Sequence, residues 1–292
     1  MNDSKKSVGI ILVALSAVCY GFMPIFAKIA YAAGTSTYTL LFLRFLLASI
    51  FMFAIMFMKK IPMPSAKDAA IFMALGAIGY VGQSYCYFVA LNYASSSTVS
   101  LLFYTNPAMI LIGSAIAFKE TITTKKLISL CLALAGAFAI IGGEFDADMK
   151  GILLSIGAAL FYSVYILISS RVVKPGMGTQ SSAFIMLGTC MVYAIVTVFA
   201  GFEPPTQTNG AIAVVLIALV STVGAFWTFF AGMEKTGPTV ASLVSTLEPV
   251  ITVVASVIIL SEAVTMNLII GGSLVVSSLI VTILPQKAKK SR

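Results

Sequence analysis

The chain has 292 residues, of which 60% are hydrophobic and only 10% charged, with a formal net charge of +8. Soluble domains carry about a quarter charged residues, so this composition excludes a soluble globular protein. It also contains no His, which removes the commonest metal ligand and the usual proton relay and leaves any proton-linked step to a carboxylate.

Apolar runs of about 20 residues, enough to cross roughly 30 Å of hydrocarbon, fall near 8-31, 37-58, 69-91, 95-118, 125-142, 151-170, 180-201, 210-232, 237-260 and 266-284. They predict ten helices. The first run follows Lys5 and Lys6, as a signal peptide would, but it is read as retained because it matches 151-170. An offset of 142 residues places Gly9 on Gly151, Tyr20 on Tyr162, Gly34 on Gly176, Gly82 on Gly224, Pro107 on Pro249 and Glu120 on Glu262. The chain is therefore built twice from one half, 1-143 and 144-292.

Five helices per half is an odd number, so the second copy enters the membrane upside down relative to the first. The expected fold is all-α and polytopic, with ten transmembrane helices forming two inverted five-helix repeats. Charge agrees, because fifteen of the eighteen cations, among them Lys59, Lys60, Lys67, Arg171, Lys174 and Lys235, fall on the side of the N-terminus. Glu144, Asp146, Asp148, Glu203 and Glu262 fall on the other. Both termini are expected in the cytoplasm of a bacterial cell, and the net positive charge needs no nucleic-acid partner to explain it. The partners expected are the lipid bilayer and a small-molecule substrate, with one chain as the functional unit.

In chain order, the first span presents Ser16, Tyr20, Pro24 and Lys28 on one helical face, and the third presents Gly79, Gln83 and Tyr87. Arg44, deep in the second span, has Met186 as its repeat counterpart and is read as structural, hydrogen-bonding nearby carbonyls or snorkelling. Lys28, near the end of its span, is read as snorkelling too. The fourth span carries Tyr104 and Asn106-Pro107. Proline has no N–H, so the carbonyl of Phe103 loses its helical partner and the helix opens there. Tyr162, in the sixth span, repeats Tyr20, and Trp227, in the eighth, repeats Tyr85.

The ninth span carries Glu248-Pro249 where the fourth has Asn106-Pro107. An ionisable group at the bilayer centre costs about 2.5 to 3.5 kcal/mol, so Glu248 should face the interior. Ser245, Glu248, Thr252 and Ser256 share one face, a polar stripe suited to line a pathway. Glu248 can bind a proton in one state and a cationic group of a substrate in another. Glu120 and Glu262 end the fourth and ninth spans and are read as caps of the helices that follow them. Gly136 in the fifth span and Gly271-Gly272 in the tenth mark small-residue packing faces. The four cysteines are scattered within spans and read as packing residues. The candidate substrate-binding set is thus Tyr20, Gln83, Tyr87, Tyr104, Asn106, Tyr162, Trp227, Ser245 and Glu248, with Pro107 and Pro249 as helix breaks and Glu248 as the proton-coupling group.

Arg44-Phe45 with Ala48, then Tyr87-Phe88-Val89-Ala90-Leu91, Pro107 and Glu120, followed by Phe229-Phe230-Ala231-Gly232-Met233, Pro249 and Glu262, resemble the ten-helix EamA-type family of the drug/metabolite transporter superfamily over essentially the whole chain. The resemblance implies a central cavity walled by helices 1, 3, 4, 6, 8 and 9, alternating access by rocking of the halves, and export of amino acids or similar metabolites. No Gly-rich lysine motif for nucleotide phosphates is present, and no cofactor is expected. Import or exchange coupled to protons through Glu248 is the rival direction. An intramembrane enzyme fits poorly, because the acids are scattered over both membrane faces and no base or metal set converges on one of them.

Overall fold

The computed structural model describes residues 3–118, 124–143, 148–174, 176–236, 244–245 and 247–283. Every regular element among them is a helix. Seven stretches are long and apolar enough to cross a membrane: Ser7–Ala32, Thr37–Met58, Ala66–Ala90, Ser96–Ala117, Met149–Ser169, Gly178–Ala200 and Thr208–Met233. Leu247–Leu260 and Met266–Ser278 are shorter apolar helices. The protein is an all-α polytopic membrane protein.

In detail the elements are α1 (Asp3–Gly21), α2 (Met23–Ala32), α3 (Thr37–Met58), α4 (Ala66–Ala74), α5 (Val81–Ala90), α6 (Ser96–Phe103), α7 (Asn106–Phe118), α8 (Thr124–Gly143), α9 (Met149–Val172), α10 (Gly178–Ala200), α11 (Thr208–Ala218), α12 (Ala225–Thr236), α13 (Leu247–Leu260) and α14 (Met266–Ile283). Short polar residues start several of them. Ser36, Ser65 and Ser95 accept the backbone N–H three residues on, from Thr39, Asp68 and Thr98, and Asp148 accepts that of Lys150. Gly34 and Gly176, repeat counterparts, both turn with a left-handed backbone, φ 85° and 83°.

The first span is broken, although the sequence suggested one continuous helix. Pro24 cannot donate to the carbonyl of Tyr20, and the chain resets at Phe22 between α1 and α2. Its counterpart is Ile166, and α9 runs unbroken. The fourth span breaks as expected, with a turn at Tyr104-Thr105 ahead of Pro107. Helices α4 and α5 are joined by a wide π-helical stretch, Leu75–Tyr80, and α11 and α12 by another, Leu219–Gly224. In the second, the Thr222 hydroxyl donates to the carbonyl of Ile217, five residues back, at 2.8 Å.

The halves interlock with exchanged roles: α1 lies on α12 as α5 lies on α9, and α3 pairs with its counterpart α10, as α8 does with α14. Helices α3 and α10 run antiparallel, since Phe53 meets Phe184 (5.3 Å between ring centres) and Phe45 stacks on Tyr193 (5.9 Å). Close approach depends on missing side chains. A Cβ on Gly232 would sit 2.7 Å from the Gly9 carbonyl oxygen, and one on Gly136 would sit 2.7 Å from that of Gly271. Gly76 and Gly188 face the backbones of Ile185 and Met73 more tightly still.

Candidate functional site

Pro107 and Pro249 belong to spans that meet where α6 packs against α13; both helices touch the first span, and α6 also packs on α9. The carbonyl vacated by Pro107 is not left empty. The Asn106 side-chain amide donates to Phe103 O at 2.8 Å, and Ser163 of α9 donates to Asn106 O at 3.1 Å. Asn106 is 6% exposed, so its first task is to mend the backbone that its neighbour opens.

Glu248 stands in the first turn of α13, with Pro249 buried beside it. Pro249 lies within three residues of the helix start, where its missing N–H deprives no intrahelical bond. Tyr104, Tyr20, Tyr87 and Tyr162 all lie near enough to the Glu248 carboxyl to interact with it electrostatically, Tyr104 by its hydroxyl. Five residues predicted from sequence therefore converge. A chain of ring contacts, each 5.3 to 6.1 Å, runs from Tyr87 through Phe103, Tyr162, Tyr165 and Tyr80 to Phe45. Such rings offer a largely apolar wall with hydroxyls at fixed points. Gln83 is buried on α5, one turn before Tyr87, and Ser245 is half-buried ahead of Glu248.

The rest of the expected polar stripe has another use. Thr252 donates to Gly21 O at 3.0 Å and Glu248 O at 3.2 Å, and Ser256 donates to Thr252 O at 2.7 Å. Both side chains are essentially unexposed. Thr252 thereby ties the first span to α13, and Ser256 bonds back within its own helix. Trp227 lies elsewhere as well. It is 56% exposed, sits under the Lys59 ammonium at 5.1 Å, and lines a lateral cavity of about 340 Å³ with Met52, Ile55, Thr179 and Phe226.

Arg44 is buried and does not snorkel, and it binds no carbonyl among the described residues. It is 3% exposed, its Nε donates to Thr222 in the other half at 3.0 Å, and its guanidinium lies 4.8 and 5.1 Å from the ring centres of Phe45 and Phe88. It lines a second, smaller cavity of about 60 Å³ with Tyr20, Tyr80, Tyr165, Ser182 and Thr222. Met186, its repeat counterpart, lines the same cavity, and Phe226 borders both cavities. Tyr80, Tyr165, Thr222 and Phe226 were missed from sequence. Tyr80 shares a helical face with Gln83 and Tyr87, and Tyr165 with Tyr162, so i, i+3 spacing could have found two of them.

One further charge differs from expectation. Glu262 does not cap the helix that follows it. Its carboxylate accepts Ser96 N–H at 2.7 Å, Ser97 N–H at 3.2 Å and the Ser97 hydroxyl at 2.8 Å, and so caps α6 in the other half. Lys28 reaches the end of its span as expected, with its side chain 28% exposed, and there donates to Ala94 O at 3.0 Å and lies 4.0 Å from Glu262. Glu120 lies outside the described residues. No group of acids and cysteines that could hold a metal occurs among the described residues.

A family model described as the EamA-like transporter family matches residues 7–142 and again 149–284. The uncharacterized transporter YcbK of Bacillus subtilis is 25% identical over 287 residues, covering 91% of this chain and 90% of that protein. YetK, an uncharacterized transporter of the same bacterium, is 28% identical over 257 residues, covering 84% and 78%. The aromatic amino acid exporter YddG of Ancylobacter novellus is 26% identical over 218 residues, covering 70% and 75%. One solved crystal structure superposes with a TM-score of 0.67 at 20% identity over 97% of both chains, a likeness of fold.

Proposed function

From the premise that the chain belongs to the EamA-like transporter family, we propose that it is a secondary active transporter exporting amino acids or related small metabolites by alternating access. The reading takes ten crossings in two inverted repeats, 1–143 and 144–292, with both termini in the cytoplasm of a bacterial cell and one chain as the working unit. The antiparallel pairing of the counterparts α3 and α10 supports the inversion.

The observation that carries the reading is the gathering of Tyr20, Tyr87, Tyr104 and Tyr162 around Glu248, drawn from both halves at proline-broken helices. Irregular backbone at membrane depth is tolerated where protein or a watery cavity surrounds it. A site built from both halves also changes its exposure when one half rocks against the other, which is what alternating access needs. In this reading Glu248 binds the cationic group of cargo or a proton, the tyrosines with Gln83 and Ser245 surround the cargo, and Asn106 holds the break in shape. Trp227 sits beside the lateral cavity, on the cargo's approach.

Counterflow in proteoliposomes preloaded with a bacterial metabolite extract tests the transport reading. Saturable exchange of at least one metabolite is expected, while flux that rises linearly with concentration, or covalent change of the cargo, rejects it. Coupling is tested separately. Wild-type flux should respond to an imposed pH difference, and Glu248→Gln should lose that response; an unchanged pH profile in the variant removes Glu248 from coupling.

A further inference from the structure

We infer that Arg44 forms the anion-binding half of the cargo site, so that the cargo carries a carboxylate as well as a cationic group. The inference rests on the transport reading and narrows it to a chemical class, zwitterionic amino acids over simple amines.

A buried guanidinium with a purely structural task is normally matched by a carboxylate or by several carbonyls. Arg44 has neither among the described residues. Of its five N–H donors, the one on Nε is taken by Thr222; the terminal nitrogens have no hydrogen-bond or ion-pair partner among the described residues. Phe45 and Phe88 hold the cation by their ring faces without neutralising it. The charge therefore stands uncompensated at a small cavity furnished with the hydroxyl-bearing side chains of Tyr20, Ser182 and Thr222. A carboxylate supplies what is missing, since its two oxygens match the fork of the guanidinium.

Placement ties this cavity to Glu248. Arg44 and Glu248 form no ion pair with each other, yet Tyr20 lines the Arg44 cavity while its neighbour Gly21 packs on the backbone of Glu248, 3.1 Å from a Cβ position there to the Glu248 carbonyl oxygen, and accepts the Thr252 hydroxyl of α13 at 3.0 Å. One cation and one anion are thus held apart across a tyrosine wall. A molecule bearing its own carboxylate and ammonium bridges them with signs reversed, and its side chain is left to the rings. Met186, in the equivalent place of the other half, cannot repeat the contact, so the carboxylate has one seat.

Three probes with one ring decide the matter: L-phenylalanine, phenethylamine without the carboxylate, and 3-phenylpropionate without the amine. Their binding to the purified full-length protein is measured by calorimetry. Phenylalanine should bind at least about tenfold more tightly than phenethylamine. Arg44→Gln should erase that preference by weakening phenylalanine and 3-phenylpropionate while leaving phenethylamine unchanged, with Arg44→Lys intermediate. Thr222→Val, which frees the guanidinium from its tether, should weaken phenylalanine by a smaller factor.

Equal binding of phenylalanine and phenethylamine to the wild-type protein overturns the inference without need of a variant. So does equal weakening of both by Arg44→Gln, or binding of none of the three. None of these outcomes touches the transport reading, which stands or falls on counterflow of the metabolite extract.

Discussion

Asn106-Pro107 and Glu248-Pro249 occupy equivalent places in the two halves, in spans that meet through α6 and α13, and do different work. At the first, the amide is committed to the Phe103 carbonyl and to nothing outside the protein's own backbone. At the second, the carboxyl has tyrosines of both halves beside it, Tyr104 among them. Duplication supplied two breaks; one is mended and the other carries charge. The same division recurs at Arg44 and Met186, which share a cavity across the halves, and at Pro24 and Ile166, where one helix is interrupted and its copy is not. Matched pairs serve both purposes, Gly34 and Gly176 in turns and Tyr20 and Tyr162 beside Glu248, whereas the charges of the candidate site, Arg44 and Glu248, each stand opposite an uncharged counterpart.

Removing the mismatch is expected to have the largest effect. Glu248→Asn makes the second proline site resemble the first and should cut counterflow at least about a hundredfold, since the only acid among the tyrosines in the described residues is gone. Adding Asn106→Glu should not restore it, because the Phe103 carbonyl then loses its donor. Recovery of flux in the double variant would mean that the two breaks are interchangeable and that the asymmetry is incidental.

Scaffold positions respond in stability and not in selectivity. Gly188→Ala drives a methyl into the backbone of Met73, and overpacking of this kind costs about 1 to 3 kcal/mol. A lowered midpoint of thermal unfolding in detergent, with probe preferences unchanged in the protein that remains folded, is the expected result. Asn106→Leu should cost a similar or smaller amount, about 1 to 3 kcal/mol, by leaving the Phe103 carbonyl buried without a donor. An unchanged midpoint for Asn106→Leu would free its amide for a role at the cargo site.

Much of this was legible in the sequence because it is periodic. A fixed offset of 142 residues revealed the two halves, apolar runs marked the helices, and one proline located the break at Tyr104-Thr105. The tyrosines around Glu248 were found from helical faces and repeat equivalence. Periodicity states which residues share a face but not what that face meets. Trp227 therefore groups with the tyrosines by spacing but lines another cavity, and of the polar stripe with Glu248, Thr252 fastens its helix to the first span while Ser256 bonds within its own helix. Arg44 was misjudged for the same reason, since its Thr222 partner is 178 residues away in sequence. Pro24 was visible throughout, yet only the residues packed around it decide whether a proline kinks a membrane helix or interrupts it.

Glu262 gives the smallest and sharpest test of the comparison between halves. Its carboxylate accepts two backbone N–H groups at the start of α6, across the repeat boundary. A charged cap at a helix N-terminus is worth roughly 0.5 to 2 kcal/mol. Glu262→Gln keeps the shape and loses the charge, so its unfolding midpoint should fall by less than that of Gly188→Ala. The repeat adds a second arm. Glu120 is the counterpart of Glu262, and Pro238 and Thr239 are the counterparts of Ser96 and Ser97; Pro238 has no N–H to give, so a cap that crosses the halves in both directions predicts a smaller fall for Glu120→Gln than for Glu262→Gln. If Glu120→Gln leaves the midpoint where it was, capping joins charge and backbone repair among the tasks that only one half performs.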